Sequence, residues 1–214
     1  MEKILVHFGC GMEVGPSWEN IDASLVLRYE KIPILGKLYK KNKTRFPPQV
    51  KYGNITSPGL YEENSVDAFF GSHVLEHLPY ETMQKTLENI YLMLKPGGVF
   101  RLIVPDLYKR AKLYIEEYEK NIKGAGNSFI SSTGLGRKES LKSLSSKMVA
   151  LFGHSTHHWM YDDLSMQAEL KEANFRNIHV CKFGDSKIPE FSEIEDIGRF
   201  EIPLGPEVAL ECKK

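Results

Sequence analysis

The sequence predicts an α/β fold built on a doubly wound, mainly parallel sheet, and three observations carry that prediction. Short apolar runs alternate along the chain with stretches whose apolar residues recur every three or four positions, as strands alternating with helices do. The run over residues 99–104 is apolar almost throughout, which is what a strand covered on both faces requires. It follows an amphipathic stretch across the turn Lys95-Pro96-Gly97-Gly98, and a strand, helix and strand joined so briefly form a right-handed parallel crossover.

The elements follow in order. Residues 3–8 are a short apolar run closed by Gly9-Cys10-Gly11, a buried strand ending at a turn. A second strand centres on residues 18–22, a weaker third on 51–55, and a fourth covers 65–70, broken by Gly71. In the next helix Met83, Leu87, Ile90, Tyr91 and Leu94 share one face. Pro79 suits its first turn, where a missing N–H is harmless. After strand 99–104 a helix runs over 107–122, with Leu107, Ala111, Tyr114 and Tyr118 on one stripe and Gly124 beyond its end. Residues up to about 153 are rich in Ser, Lys and Gly, with one further helix at 141–152, so 108–159 reads as a helical insertion, a lid between core elements. A last core helix spans 161–173, and Asn174 can take the left-handed cap conformation. Strands at 178–183 and 207–212 close the chain, the final one antiparallel.

Composition bounds the function. The 214 residues suit one domain, 1–214, with a real hydrophobic core. Equal numbers of basic and acidic side chains, 28 each, argue against wholesale binding of nucleic acid or anionic membrane. No stretch approaches the roughly 20 apolar residues of a membrane span. The chain enters its first strand at once, and Cys10, Cys181 and Cys212 are odd in number and unevenly spaced. The expectation is a cytoplasmic protein of a reducing compartment.

In a doubly wound sheet the ligand sits beyond the carboxyl ends of the strands, near the point where strand order reverses. The residues just after each strand are therefore the candidates. Phe8, Gly9 and Gly11 end the first, where glycine lets the chain turn sharply and a ligand approach without meeting a Cβ; a plain tight turn is the competing reading. Asp22 ends the second and can accept hydrogen bonds from a ribose diol, or cap a helix. A dinucleotide fingerprint needs a third glycine, a full helix and an acid about 20 residues on. Here Met-Glu-Val-Gly follows Gly11 and Asp22 comes far sooner, which counts against a nicotinamide-dependent oxidoreductase and leaves open a nucleoside cofactor without phosphates.

Beyond the fourth strand come Gly71-Ser72-His73-Val74-Leu75-Glu76-His77, and beyond the fifth Pro105-Asp106-Leu107. With these in place, the stretches FGCG, WENIDAS, NSVDAFFGSHVLEHL, LKPGGVFRLIVPDL, HHWMYD, LKEANF and EVALECKK resemble the class I S-adenosylmethionine-dependent methyltransferases of the type 11-like group. The most specific part joins GSHVLEHL to LKPGG. The resemblance implies a Rossmann-like sheet, S-adenosylmethionine as cofactor and methyl transfer as the reaction. It implies that Phe8, Gly9 and Gly11 approach the methionine portion, that Asp22 holds the ribose and that Ala23 packs near the adenine. Asn54 stands where the family often has an Asp reading the adenine amino group. Ser72 and His73 would turn backbone carbonyls toward the cofactor's amino group, with His77 a further neighbour. HHWMYD followed by LKEANF resembles a subgroup often associated with cell-surface glycan biosynthesis, which implies a small-molecule or saccharide acceptor. Two departures stand out: Val6-His7-Phe8 where an acidic residue is usual, and a first crossover cut to about a turn.

Methyl transfer from a sulfonium is an in-line displacement, for which a protein supplies approach geometry and a dry pocket. An oxygen or nitrogen nucleophile also loses a proton, so a base within reach helps. His157 is the first candidate, with helix capping or packing on Trp159 as the alternative; Asp106 is the second, with an N-cap role as its alternative. His154, His157 and His158 offer two imidazoles at four-residue spacing, but no acid or thiolate accompanies them at a fixed spacing, so no metal site is expected. Basic runs at Lys37, Lys40, Lys41, Lys43 and Arg45, and at Arg137, Lys138, Lys142 and Lys147, are either solvated loops or a rim for an anionic acceptor such as a phosphorylated or nucleotide-linked sugar. A protein that keeps the cofactor without turnover is the rival functional reading.

Overall fold

The computed structural model describes residues 3–33, 45–136, 156–200 and 207–214. Its strands are β1 (Leu5–Phe8), β2 (Glu19–Asp22), β3 (Lys51–Tyr52), β4 (Val66–Ser72), β5 (Leu94–Pro105), β6 (Arg176–Val180) and β7 (Glu207–Lys213). They form one seven-stranded sheet in the order β3-β2-β1-β4-β5-β7-β6. The pairs among β1 to β5 are all parallel. β7 lies antiparallel to both β5 and β6, so it alone opposes the common direction. The expected doubly wound sheet with an antiparallel C-terminal strand is what forms. Because the chain steps outward from β1 to β3 and then returns to β4 on the other side of β1, strand order reverses between β1 and β4.

Helices pack on this sheet: α1 (Leu25–Glu30), α2 (Tyr80–Met93), α3 (Leu107–Glu119), α4 (Ala125–Thr133), α5 (Asp163–Glu172) and α6 (Ile197–Phe200). The apolar stripe of α2 buries Met83, Leu87 and Ile90 against Phe8, Phe69, Phe100 and Leu102, and Met166 and Leu170 of α5 join the same core. The opposite sheet face carries Leu5, Phe70 and Ile103, covered by Trp18 and Phe191. Strand residues thus alternate between two cores, as a period of two demands.

Several boundaries differ from the sequence reading. β3 has two residues because Gly53 turns away, its N–H bonding to the Asp22 carbonyl at 3.1 Å. α1 was not expected; Ser24 caps it by accepting from the Val26 N–H at 3.2 Å. α4 was not expected either, and it runs between two glycines of positive φ, Gly124 and Gly134. Tyr114 stacks on Phe129 at 5.2 Å, joining α3 to α4. Asn174 adopts φ +70, as anticipated. The helix expected at 141–152 lies outside the described residues, as do the basic side chains of both runs except Arg45.

Arg101, in the middle of β5, is fully buried. A lone guanidinium there would be prohibitively costly, but Glu195 binds its Nε, Glu211 lies 3.1 Å from one terminal nitrogen, and Asp185 lies 3.0 Å from the other. Burial works to raise the Asp185 pKa, yet bonds from the Lys182 N–H and from Arg101 hold it below the usual carboxylate value. The charge is therefore a cross-brace between β5, β7 and the segment carrying Glu195. Arg101→Met should leave the buried Glu195 and Glu211 carboxylates uncompensated and cost about 3–5 kcal/mol. Urea unfolding followed by circular dichroism measures it, and an unchanged midpoint would contradict this role.

Candidate functional site

The carboxyl ends of β1 to β4 open onto a cleft of about 490 Å³. Phe8, Gly9, Asp22, Ala23, Asn54 and His73 line it, so side chains separated by 65 residues of chain meet at the point where strand order reverses. Ile55, Val74 and Leu78 supply an apolar wall that the sequence did not single out, because nothing in their spacing marks them. Gly11 and Ser72 stand behind the lining: Gly11 bonds to Asp22, and the Ser72 hydroxyl is buried at the end of β4.

The glycine loop is shaped by contacts as well as torsions. Gly9 has φ +62, and a Cβ there would come within 2.3 Å of Val74 Cγ2. Gly11 has φ +56 with open space around it. Gly71 is required for a third reason, since a Cβ on it would lie 2.2 Å from the Phe8 ring. Asp22 ties this loop to the next: Oδ2 accepts from the Gly11 N–H at 3.0 Å and Oδ1 from the Ser24 N–H at 2.7 Å. Each oxygen retains a lone pair for a further donor. The Asn54 carbonyl oxygen already accepts from the Thr56 N–H and hydroxyl, at 3.1 and 2.9 Å, leaving the amide NH₂ as that side chain's remaining polar group. Burial, reinforced by Asp22, pushes the Cys10 thiol up to about 12, so it is inert. No helix lies between β1 and β2, and the helix N-terminus that a pyrophosphate would meet there is missing.

Beyond β4 the chain makes a tight turn, with His73 at φ +54, into a single helical turn over Leu75–His77. Glu76 in that turn is fully buried, and its carboxylate accepts no hydrogen bond among the described residues. Three imidazoles face its Oε1: His73 Nδ1 at 3.3 Å, His77 Nε2 at 3.9 Å and His157 Nε2 at 3.9 Å. The backbone holds the distant segment in place, because the N–H groups of His158 and Trp159 both bond to the Glu76 carbonyl, at 2.7 and 3.2 Å. His157 thus reaches the strand-end region and touches His77, their rings edge to face at 4.8 Å. Asp106 is buried and occupied: it caps α3 by accepting from the Lys109 N–H at 3.1 Å, and the Lys109 ammonium lies 3.1 Å from its other oxygen. Glu207, which the sequence reading passed over, pairs with Arg110 at 2.9 Å and faces His73 Nε2 at 3.9 Å. Burial raises the Glu207 pKa against the pull of His73 and Arg110.

Residues 7–102, from β1 into β5, match the family model described as a methyltransferase domain. The match covers a little under half of the chain and marks this segment as similar to methyltransferase domains. The chain also resembles solved structures. One is an S-adenosylmethionine-dependent methyltransferase from Thermotoga maritima, described as a possible histamine N-methyltransferase, at 17% identity with TM-score 0.48, covering 100% of this chain and 83% of that one. Another is an S-adenosylmethionine-dependent methyltransferase from Archaeoglobus fulgidus, at 15% identity with TM-score 0.48, covering 99% and 86%. A third is human N-acetylserotonin methyltransferase in complex with S-adenosylmethionine, at 16% identity with TM-score 0.46, covering 99% and 47%. No curated protein sequence matches the chain. Among the described residues, no helix is long and apolar enough to cross a membrane.

The two loop glycines should respond differently to substitution. Gly11→Ala meets only the left-handed backbone penalty and should cost about 1 kcal/mol. Gly9→Ala adds overpacking against Val74 and should cost about 2–4 kcal/mol. Thermal unfolding of both variants measures the difference, and equal losses would argue against the Gly9–Val74 contact.

Proposed function

We propose that this protein is a methyltransferase that uses S-adenosylmethionine to methylate a small-molecule or saccharide acceptor, anionic in character, at the cleft beyond β1, β2 and β4. The observation that carries this reading is the convergence of a positive-φ glycine loop, one carboxylate and an apolar wall around a single cavity. A volume of about 490 Å³ suits one nucleoside with an amino-acid arm. Asp22 is the lining carboxylate, placed to accept from a ribose diol while its backbone bonds keep it oriented. Ile55, Leu78 and Ala23 offer the adenine an apolar slot, and the Asn54 NH₂ offers a donor to a ring nitrogen. Gly9 and Phe8 border the methionine arm, with the turn at Ser72 and His73 beside its amino group.

S-adenosylmethionine, when bound, supplies an electrophilic methyl carbon: the acceptor lone pair forms the new bond as the carbon–sulfur bond breaks, and the acceptor's proton leaves. His157 belongs to the end of the site that handles that proton. Its Nδ1 lies 2.6 Å from the Thr133 carbonyl, which can only accept, so the neutral ring carries its proton on Nδ1 and its lone pair on Nε2. Asp106 serves by holding α3, and through Lys109 it sets one wall near Glu207. The basic runs at 37–45 and 137–147, read from the sequence alone, are the reason for an anionic acceptor in this reading.

Calorimetry with S-adenosylmethionine, S-adenosylhomocysteine and NAD tests the cofactor, with binding expected for the first two only. Asp22→Ala should weaken S-adenosylmethionine by about 1–3 kcal/mol, roughly 10- to 100-fold, the scale of hydrogen bonds to a charged group. Unchanged affinity would sink the ribose assignment. His157→Ala should lower turnover of labelled methyl groups into phosphorylated sugars far more than it lowers cofactor affinity, and the opposite pattern would reduce His157 to a packing role. Transfer to an anionic acceptor should fall with added salt, because a charged rim is screened.

A further inference from the structure

We infer that Glu76, His77 and His157 form a binding site for one divalent transition-metal ion, zinc or a metal of similar preference, at the edge of the cofactor cleft. Their ligand atoms all lie within 4.8 Å of one another. Two nitrogens and one carboxylate oxygen are the donor set of an open zinc site, in which three protein ligands leave a fourth position for water or substrate. The expectation from spacing alone was the reverse, because HxxHH carries no acid; the fold supplies the acid and a second histidine from a turn about 80 residues away.

Three features favour a cation over a plain imidazole–carboxylate contact. The first is the carboxylate itself: Glu76 is fully buried and neither of its oxygens accepts a hydrogen bond among the described residues. His73 Nδ1 stands 3.3 Å from Oε1 without forming a hydrogen bond, and an incompletely compensated ion at that depth costs several kcal/mol. The second is the gap. The two Nε2 atoms stand 3.9 Å from Glu76 Oε1, beyond hydrogen-bond reach. Ligands about 2.1 Å from a shared tetrahedral ion sit about 3.4 Å apart, so each histidine closes on Glu76 by about half an ångström, and the widest separation in the set, up to 4.8 Å, closes by at most about 1.4 Å. The third is the support behind the ligands. His77 Nδ1 donates to the Thr156 carbonyl at 3.2 Å and His157 Nδ1 to the Thr133 carbonyl at 2.6 Å. Both rings are thereby fixed in the tautomer that presents Nε2, as metal-ligating histidines commonly are.

The placement suggests what such an ion does. His73 and His77 both line the cleft, so the site borders the space where an acceptor must lie. A metal with an open position acidifies a bound hydroxyl as it acidifies bound water. That purpose rests on the proposed methyl transfer and narrows its acceptor to an alcohol or phenol, with His157 acting as a ligand and the hydroxyl proton passing to solvent. Metal binding itself does not rest on that reading.

The test strips the full chain with a chelator, titrates it with Zn²⁺ by calorimetry and counts bound zinc after gel filtration. One zinc per chain is expected, with affinity lowered at least about 100-fold in His77→Ala and His157→Ala, since loss of a mere outer partner already costs 10- to 100-fold. His179→Ala, on β6, should bind as the parent does. Glu76→Gln keeps the volume and should also lose the metal; if it does not fold, the two histidine variants decide. No zinc in the parent, unaltered affinity in both cluster variants, or an equal loss in His179→Ala would each overturn the site. Zinc bound without S-adenosylmethionine binding would remove the methyl-transfer reading and leave the metal site standing. Methylation by a chain that binds no metal would do the opposite.

Discussion

The turn beyond β4 is organised by one costly feature, the burial of the Glu76 carboxylate. A charge at that depth has to be met by something, and the chain meets it from several directions. His73 and His77 come from the same turn, and His157 comes from a segment about 80 residues further along the chain. The Glu76 backbone carbonyl, doubly bonded by His158 and Trp159, is what keeps that distant segment against the turn. Bonds from His157 to the Thr133 and Gly134 carbonyls and the packing of Trp159 on Tyr80 hold the same segment from its other side. The neighbouring pair of Arg110 and Glu207 continues the polar chain through His73 into α3 and β7.

The cleft beyond β1 to β4 obeys a simpler constraint. Parallel strands point their carboxyl ends the same way, so the loops after β1, β2 and β4 converge whatever their sequence. What sequence adds is permission for close approach. Gly9 must lack a Cβ because Val74 stands where it would be, and Gly71 must lack one because the Phe8 ring does. Asp22 then locks two of the converging loops together through backbone N–H groups while remaining on the cleft wall. A residue that would otherwise be a solvated turn acid is thus both a structural tie and the polar anchor of the cleft.

Much of this was legible in the chain. The alternation of strands and helices and the parallel crossover into β5 follow from period. Phe8, Gly9, Asp22 and His73 of the cleft lining follow from the rule that strand ends carry ligands, and Ala23 and Asn54 came from the resemblance. Local chemistry also anticipated Asp106, whose capping role is visible in its position before Leu107. Other features were not legible. Arg101 reads as a blemish in an apolar run, since its three carboxylate partners lie 84 to 110 residues away. The Asn54 side chain turned out to be half committed to Thr56, a local Asx turn that sequence permits but does not require.

By itself, then, the sequence determined the layered architecture and the cleft, because both depend on local periodicity and on turns that each segment forms from its own residues. Tertiary structure alone decided what surrounds Glu76 and Arg101. Buried charges choose partners by proximity in space, and proximity between residues 76 and 157 is a property of the folded chain that no spacing along it encodes.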